Sequence, residues 1–113
     1  MFVGKLAKGS MIIRRYPRIT VHFLASLVGD VTGHGLVDNL SFMGCRLRMT
    51  EALPVLGSIT LLLHFDDAET QACRVELAVV RWQSPVDLHG IEFVVMADHD
   101  QQLLQTFLAS QPQ

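Results

Sequence analysis

Gly44-Cys45-Arg46-Leu47-Arg48-Met49-Thr50 carries the cleanest alternation in the chain, with Cys45, Leu47 and Met49 apolar and Arg46 and Arg48 charged between them. Successive side chains of a strand point to opposite faces, so this run turns one face to a core and the other to water. Such half-buried strands belong to antiparallel sheets. Downstream, Pro54 and Gly57 bracket a loop, and 59–65 reads as a strand apolar on nearly both faces. Asp66-Asp67-Ala68-Glu69 makes a short acidic hairpin loop. The longest extended run is 71–82, with Cys73, Val75, Leu77 and Val79 on one side and Arg74 and Glu76 on the other. Ser84-Pro85 turns it back, and 89–95 is the last strand.

Upstream of Gly44 the same period holds. Val21, Phe23, Ala25 and Leu27 share a face opposite Thr20, His22 and Ser26, with Leu24 as the apolar exception. Gly29-Asp30 and Thr32-Gly33-His34-Gly35 supply turn residues before extended structure resumes at 36–40. About six short strands at this spacing read as a small antiparallel barrel or sandwich. The period then changes: Leu103, Leu104, Phe107 and Leu108 mark one helical stripe, with Asp98 as the expected cap and Gln101 completing a box-like arrangement. The expected organisation is a flexible leader over 1–12 and one domain over 13–110.

A chain of 113 residues with half of them apolar can bury a core of its own. Its formal net charge of −2 argues against a polymer-binding surface held by many phosphate contacts. The charge is unevenly spread. Lys5, Lys8, Arg14, Arg15 and Arg18 fall in the first 18 positions, which hold no acid, while every Asp and Glu lies from Asp30 onward. A local positive site on a mildly acidic body suits a small anion. Cys45 and Cys73 stand alone and read as reduced, buried, small hydrophobes. Lys5 and Lys8 interrupt the N-terminus before a signal peptide's apolar length, and no run reaches that of a membrane span, so a cytoplasmic protein without membrane insertion is expected.

No catalytic residue and no metal site is expected. His22, His34, His64, His89 and His99 show no ligand spacing and read as scattered, solvent-facing imidazoles. Asp66, Asp67 and Glu69 lack the glycine and distal ligand of a calcium loop. No glycine-rich phosphate loop is present, so anion binding falls to side chains.

Those side chains are concentrated in Arg14-Arg15-Tyr16-Pro17-Arg18. Pro17 fixes its own φ and pushes Tyr16 toward extended geometry, which places the arginines on an arm or loop. A guanidinium fork matches phosphate oxygens and the O6/N7 edge of guanine, and its flat face stacks on purines. A second constellation follows at Asn39-Leu40-Ser41-Phe42-Met43-Gly44, where Asn39 offers an amide to a base edge and Ser41 a hydroxyl to a phosphate or to backbone. Gly44 lets the main chain approach closely or turn sharply. Either half alone is equally a solvated arm or a strand-ending turn.

The two halves together, Arg14-x-x-x-Arg18 and Asn39-x-Ser41-x-x-Gly44, resemble the paired motif of PilZ domains, bacterial receptors for cyclic di-GMP. The resemblance runs from Arg14 to about Leu108 and takes in the Val80-Arg81-Trp82 strand end and Gly90-Ile91-Glu92-Phe93. It implies an all-β fold with a C-terminal helix, a six-stranded antiparallel β-barrel. It also implies that Arg14 and Arg18 grip guanine edges and phosphates, that Asn39 and Ser41 bond from the barrel surface, and that Gly44 permits the turn. Arg15 would be a third clamp. Asn39 stands where many members have Asp. Trp82 is read as a base-stacking surface, with a barrel-core role as the alternative. Ile13, where some members carry Arg, hints at one bound ligand rather than a stacked pair. The implied protein is no enzyme and needs no cofactor. It is a second-messenger adaptor, monomer or homodimer, that orders its arm on binding and passes the signal to an unidentified downstream protein. The rivals are a PilZ-like interaction module without nucleotide, and a single-stranded nucleic-acid barrel, for which the aromatics are too few.

Overall fold

The computed structural model describes residues 17–66, 72–85 and 87–111; the expected leader, Ile13, Arg14, Arg15 and most of the acidic hairpin loop lie outside them. Six strands, β1 (Ile19–Val28), β2 (Gly33–Leu40), β3 (Gly44–Arg48), β4 (Ser58–His64), β5 (Cys73–Gln83) and β6 (Leu88–Val95), precede one helix, α1 (Asp98–Ser110). They close into an antiparallel barrel in the order β1-β2-β3-β6-β5-β4. Closure leaves no unpaired sheet edge.

The alternation behaves as read in β1 and β3. Val21, Phe23, Ala25 and Leu27 are buried, as are Cys45 and Leu47, and Leu24 lies outside at 57% exposure. In β2 the strand begins at Gly33, opposite Leu27, rather than after a turn through Gly35, because pairing with β1 recruits the glycines into the ladder. A register shift between Val37 and Asn39 then inserts Asp38 as an extra residue, so that Val37 and Leu40 both reach the core although they are three apart. In β5 the parity expected from 71–82 fails halfway. Cys73 and Val75 are buried, but β5 uses three residues from Val75 to Ala78 against two from Leu61 to Ile59 on β4, which hands the core to Ala78 and Val80 and leaves Leu77 and Val79 half-buried on the other face. One inserted residue inverts every side chain after it.

Two further expectations are corrected. His89 faces inward from β6, is fully buried, and its Nε2 accepts the Leu53 N–H at 3.2 Å, which puts the ring proton on Nδ1. His64 is partnered too, 2.8 Å from the Ser26 hydroxyl. At the helix start Asp98 is the first helical residue, and Ala97 precedes it with no side-chain cap. Asp100 accepts the Arg74 N–H at 2.9 Å, tying the first turn to β5, and Gln101 donates to the carbonyl of Met96 just before the helix at 2.9 Å instead of forming a capping box. The stripe seats as expected: Leu104 is fully buried, and Phe107 stacks on Phe65 with ring centroids 4.2 Å apart while both meet Phe23 edge-on.

Both cysteines are buried and free. Burial, reinforced by the Asp38 charge, pushes the Cys45 thiol up to about 12; burial, reinforced by Asp100, does the same for Cys73. Because the folded values exceed the ordinary 9.0, the unfolded chain gives up these protons first, and stability falls as pH climbs from about 9 toward 12. At pH 8 Ellman's reagent is expected to label neither thiol until denaturant is added. Rapid labelling of the native chain would contradict this burial.

Candidate functional site

The barrel registers align a row of outward-facing positions that no stretch of sequence displays. Thr20 pairs with Asn39 across β1–β2, Asn39 with Arg46 across β2–β3, Arg46 with Gly90 across β3–β6, and Gly90 with Trp82 across β6–β5. Five strands thus contribute one residue each to a band around the outer wall. A cleft of about 200 Å³ lies along it, lined among others by Arg18, Met43, Arg46, Arg81, Trp82 and Glu92.

Gly90 sets the shape of one end. A Cβ there would collide with Trp82 Nε1, so the missing side chain is what lets the indole lie across β6. Trp82 remains 45% exposed, which removes the barrel-core alternative and leaves an aromatic face open in the cleft. At the other end Arg18, the last residue before β1, is exposed and reaches the same cleft.

Asn39 sits next in the row beyond Arg46. Its Oδ1 is shielded from water and has no hydrogen-bond partner among the described residues. An amide oxygen left in that state carries a desolvation cost that a donor from outside would relieve.

Ser41 and Gly44 take scaffold positions. Ser41 is 6% exposed, and its Oγ accepts the Met43 N–H at 3.1 Å and faces the Gly44 carbonyl at 3.5 Å, while its own N–H donates to that carbonyl at 2.9 Å. Of the two uses foreseen for the hydroxyl, the backbone one is occupied. Gly44 opens β3 opposite Glu92, and a Cβ on it would strike the Ile91 carbonyl oxygen. Its role in this structure is therefore close approach of β3 to β6 rather than an unusual turn. Both residues nonetheless line the cleft.

Two arginines that the motif does not contain also line the cleft. Arg46 Nε donates to Asp38 Oδ1 at 2.8 Å, and Arg48 Nη2 lies 3.5 Å from Asp38 Oδ2. The hydrogen bond that Arg46 donates to Asp38, and then the Asp38 charge, hold the Arg46 guanidinium above the ordinary arginine value. Arg81 pairs with Glu92 from the neighbouring strand. The signal for Arg46 was present as the polar half of the alternation in β3, but nothing local marked it as the neighbour of Asn39. Arg18, Ser41, Gly44 and Trp82 share the cleft and Asn39 adjoins it; Arg14 and Arg15 lie outside the described residues.

Among the described residues no group of three or more His, Cys, Asp or Glu is arranged to hold a metal, and no helix is long and apolar enough to cross a membrane.

The closed barrel, its packed C-terminal helix and the guanidinium-lined cleft define a small antiparallel barrel module whose distinctive chemistry lies on its outer wall. The PilZ domain model matches residues 12–110, and the chain belongs to the PilZ domain family, a family of cyclic di-GMP receptors and adaptors. Solved structures agree in fold. The Bacillus subtilis inhibitor of motility (MotI/DgrA) superposes with a TM-score of 0.65 at 22% identity over 88% of this chain and 51% of that one. This chain therefore spans about half the length of that relative. The PilZ domain of CeSA from a cellulose-synthesizing bacterium superposes with a TM-score of 0.60 at 11% identity, covering 81% of this chain and 98% of that one. A comparison with curated proteins finds no match.

Proposed function

We propose that this chain is a cyclic di-GMP receptor that acts as an adaptor, taking the ligand along the outer-wall row between Arg18 and Trp82. The observation that carries the reading is the unpartnered, water-shielded Oδ1 of Asn39, in line with an open indole face and beside an arginine-lined cleft. Guanine presents N1–H and N2–H donors that match that oxygen, and a purine plane matches the indole. Arg18, with Arg14 and Arg15 on the same short stretch, supplies guanidiniums for two phosphates. Like charges crowded on that arm repel one another, and a dianionic ligand cancels the repulsion and pins the arm to the barrel. The repositioned arm is the surface a downstream protein reads. Chemistry at the ligand is not part of the role; the module binds and relays.

Calorimetric titration of the purified chain with cyclic di-GMP, beside GTP and cyclic di-AMP, tests this. Selective binding is expected, and an Arg14→Ala/Arg18→Ala variant should weaken it by at least roughly a hundredfold, since each charged hydrogen-bonding partner contributes about 1.5–3 kcal/mol. Heat indistinguishable from dilution for every nucleotide would sink the receptor reading and leave a barrel whose surface serves a protein partner.

A further inference from the structure

We propose that Arg46, held in place by Asp38, is a specificity-determining residue of the ligand site, reading the O6/N7 acceptor edge of a guanine whose donors face Asn39. The inference rests on the receptor reading above. Arg46 lies directly cross-strand from Asn39 on one side and, across Gly90, faces Trp82 on the other. It therefore stands between the amide suited to a base edge and the indole suited to a base face, at the level of the base. Its neighbour Asp38 fixes it there. The bulge that inserts Asp38 into β2 sets its carboxylate beside β3, with a side chain only 18% exposed, where it accepts Arg46 Nε at 2.8 Å and stays within 3.5 Å of Arg48 Nη2.

That contact uses the Nε side of the guanidinium. The terminal Nη pair has no ion-pair partner among the described residues, and Arg46 is one of the side chains lining the cleft, so its fork is available to a ligand there. A two-donor fork complements the paired acceptors O6 and N7 of guanine and is mismatched to adenine, which carries an amino donor in place of O6. Asp38 acts through Arg46 and is a positioning residue, since its carboxylate fixes the torsions of a side chain that is otherwise half-exposed and rotamer-rich.

The test titrates the full chain and its Arg46→Gln, Arg46→Lys, Asp38→Asn and Asp38→Glu variants with cyclic di-GMP and with its 7-deaza-guanine analogue, which lacks N7. Arg74→Gln, at an exposed pair with Glu76 on β5, is the control, and thermal unfolding confirms that each variant is folded. Wild type is expected to bind the analogue roughly tenfold more weakly than cyclic di-GMP. Arg46→Gln should bind cyclic di-GMP roughly 10- to 100-fold more weakly and no longer distinguish the two ligands. Arg46→Lys should lose the same discrimination despite keeping its charge. Asp38→Asn should lose most of it, Asp38→Glu should recover part, and Arg74→Gln should stay within twofold of wild type.

Equal weakening of both ligands in Arg46→Gln, with discrimination preserved, would make Arg46 a phosphate contact and overturn the proposal. So would affinities within twofold of wild type in Arg46→Gln, and full discrimination in Asp38→Asn would overturn the positioning role. Failure of the wild-type chain to bind either dinucleotide would overturn the receptor reading itself, a result distinct from wild-type binding that Arg46→Gln leaves untouched.

Discussion

Gly44→Ala is expected to destabilise the barrel by about 3 kcal/mol, a large share of the stability of a domain this size. The added Cβ would run into the Ile91 carbonyl oxygen, with Ile91 C at 3.2 Å and Glu92 Cα at 3.3 Å behind it. All three are backbone atoms of β6, so no side-chain rotation relieves the clash. The strands must separate, and β3 and β6 exchange a ladder from Gly44–Glu92 to Arg48–Leu88. Urea unfolding monitored by far-UV circular dichroism should show a lower midpoint at unchanged slope. A variant within 0.5 kcal/mol of wild type that nonetheless lost ligand would mean that Gly44 serves the ligand directly and that the β3–β6 gap can accept a methyl group.

Gly90→Ala should behave in the opposite sense, with a small cost in stability and a large one at the site. Here the Cβ meets Trp82 Nε1 and the ring atoms around it, the far end of a rotatable side chain at the surface. The indole can swing off β6 into solvent, removing the aromatic face from the cleft. Trp82 is the sole tryptophan, so its emission reports the change directly: a red shift and stronger quenching by acrylamide are expected. Loss of one base-stacking surface is worth about 1–3 kcal/mol, so cyclic di-GMP affinity should fall by at least roughly fivefold. Unaltered emission with unaltered affinity would show that the indole does not depend on the gap at Gly90.

These two glycines show where sequence reading reaches and where it stops. Gly44 could be picked out because it closes a motif, yet the reason it must be glycine, the carbonyl of a strand 47 positions further on, is invisible locally. Gly90 entered the family resemblance with Ile91, Glu92 and Phe93, but nothing local showed that it makes room for Trp82. The inverted second half of β5 was out of reach for the same reason: a bulge between Val75 and Ala78 is set by pairing with β4, while the apolar pattern of Leu77-Ala78-Val79-Val80 fits either parity. His89 looked like any surface histidine until the barrel turned it inward beneath Leu53. Asp98 looked like a cap until Asp100 and Gln101 found partners outside the helix.

The sequence by itself determined the strand set, the C-terminal helical stripe, the reduced and buried cysteines, and the two polar constellations at Arg14–Arg18 and Asn39–Gly44, because each is written within a window shorter than one hairpin. Period, turn chemistry and charge are local quantities. Only the tertiary structure decided which outward positions become neighbours. Arg46, Gly90 and Trp82 are separated by strands and loops along the chain, and the register of a closed barrel brings them into one row beside Asn39. That register is fixed by the core: each strand must point its apolar face inward at once, and a slip of one residue in β3 would bury Arg46 in place of Cys45 or Leu47.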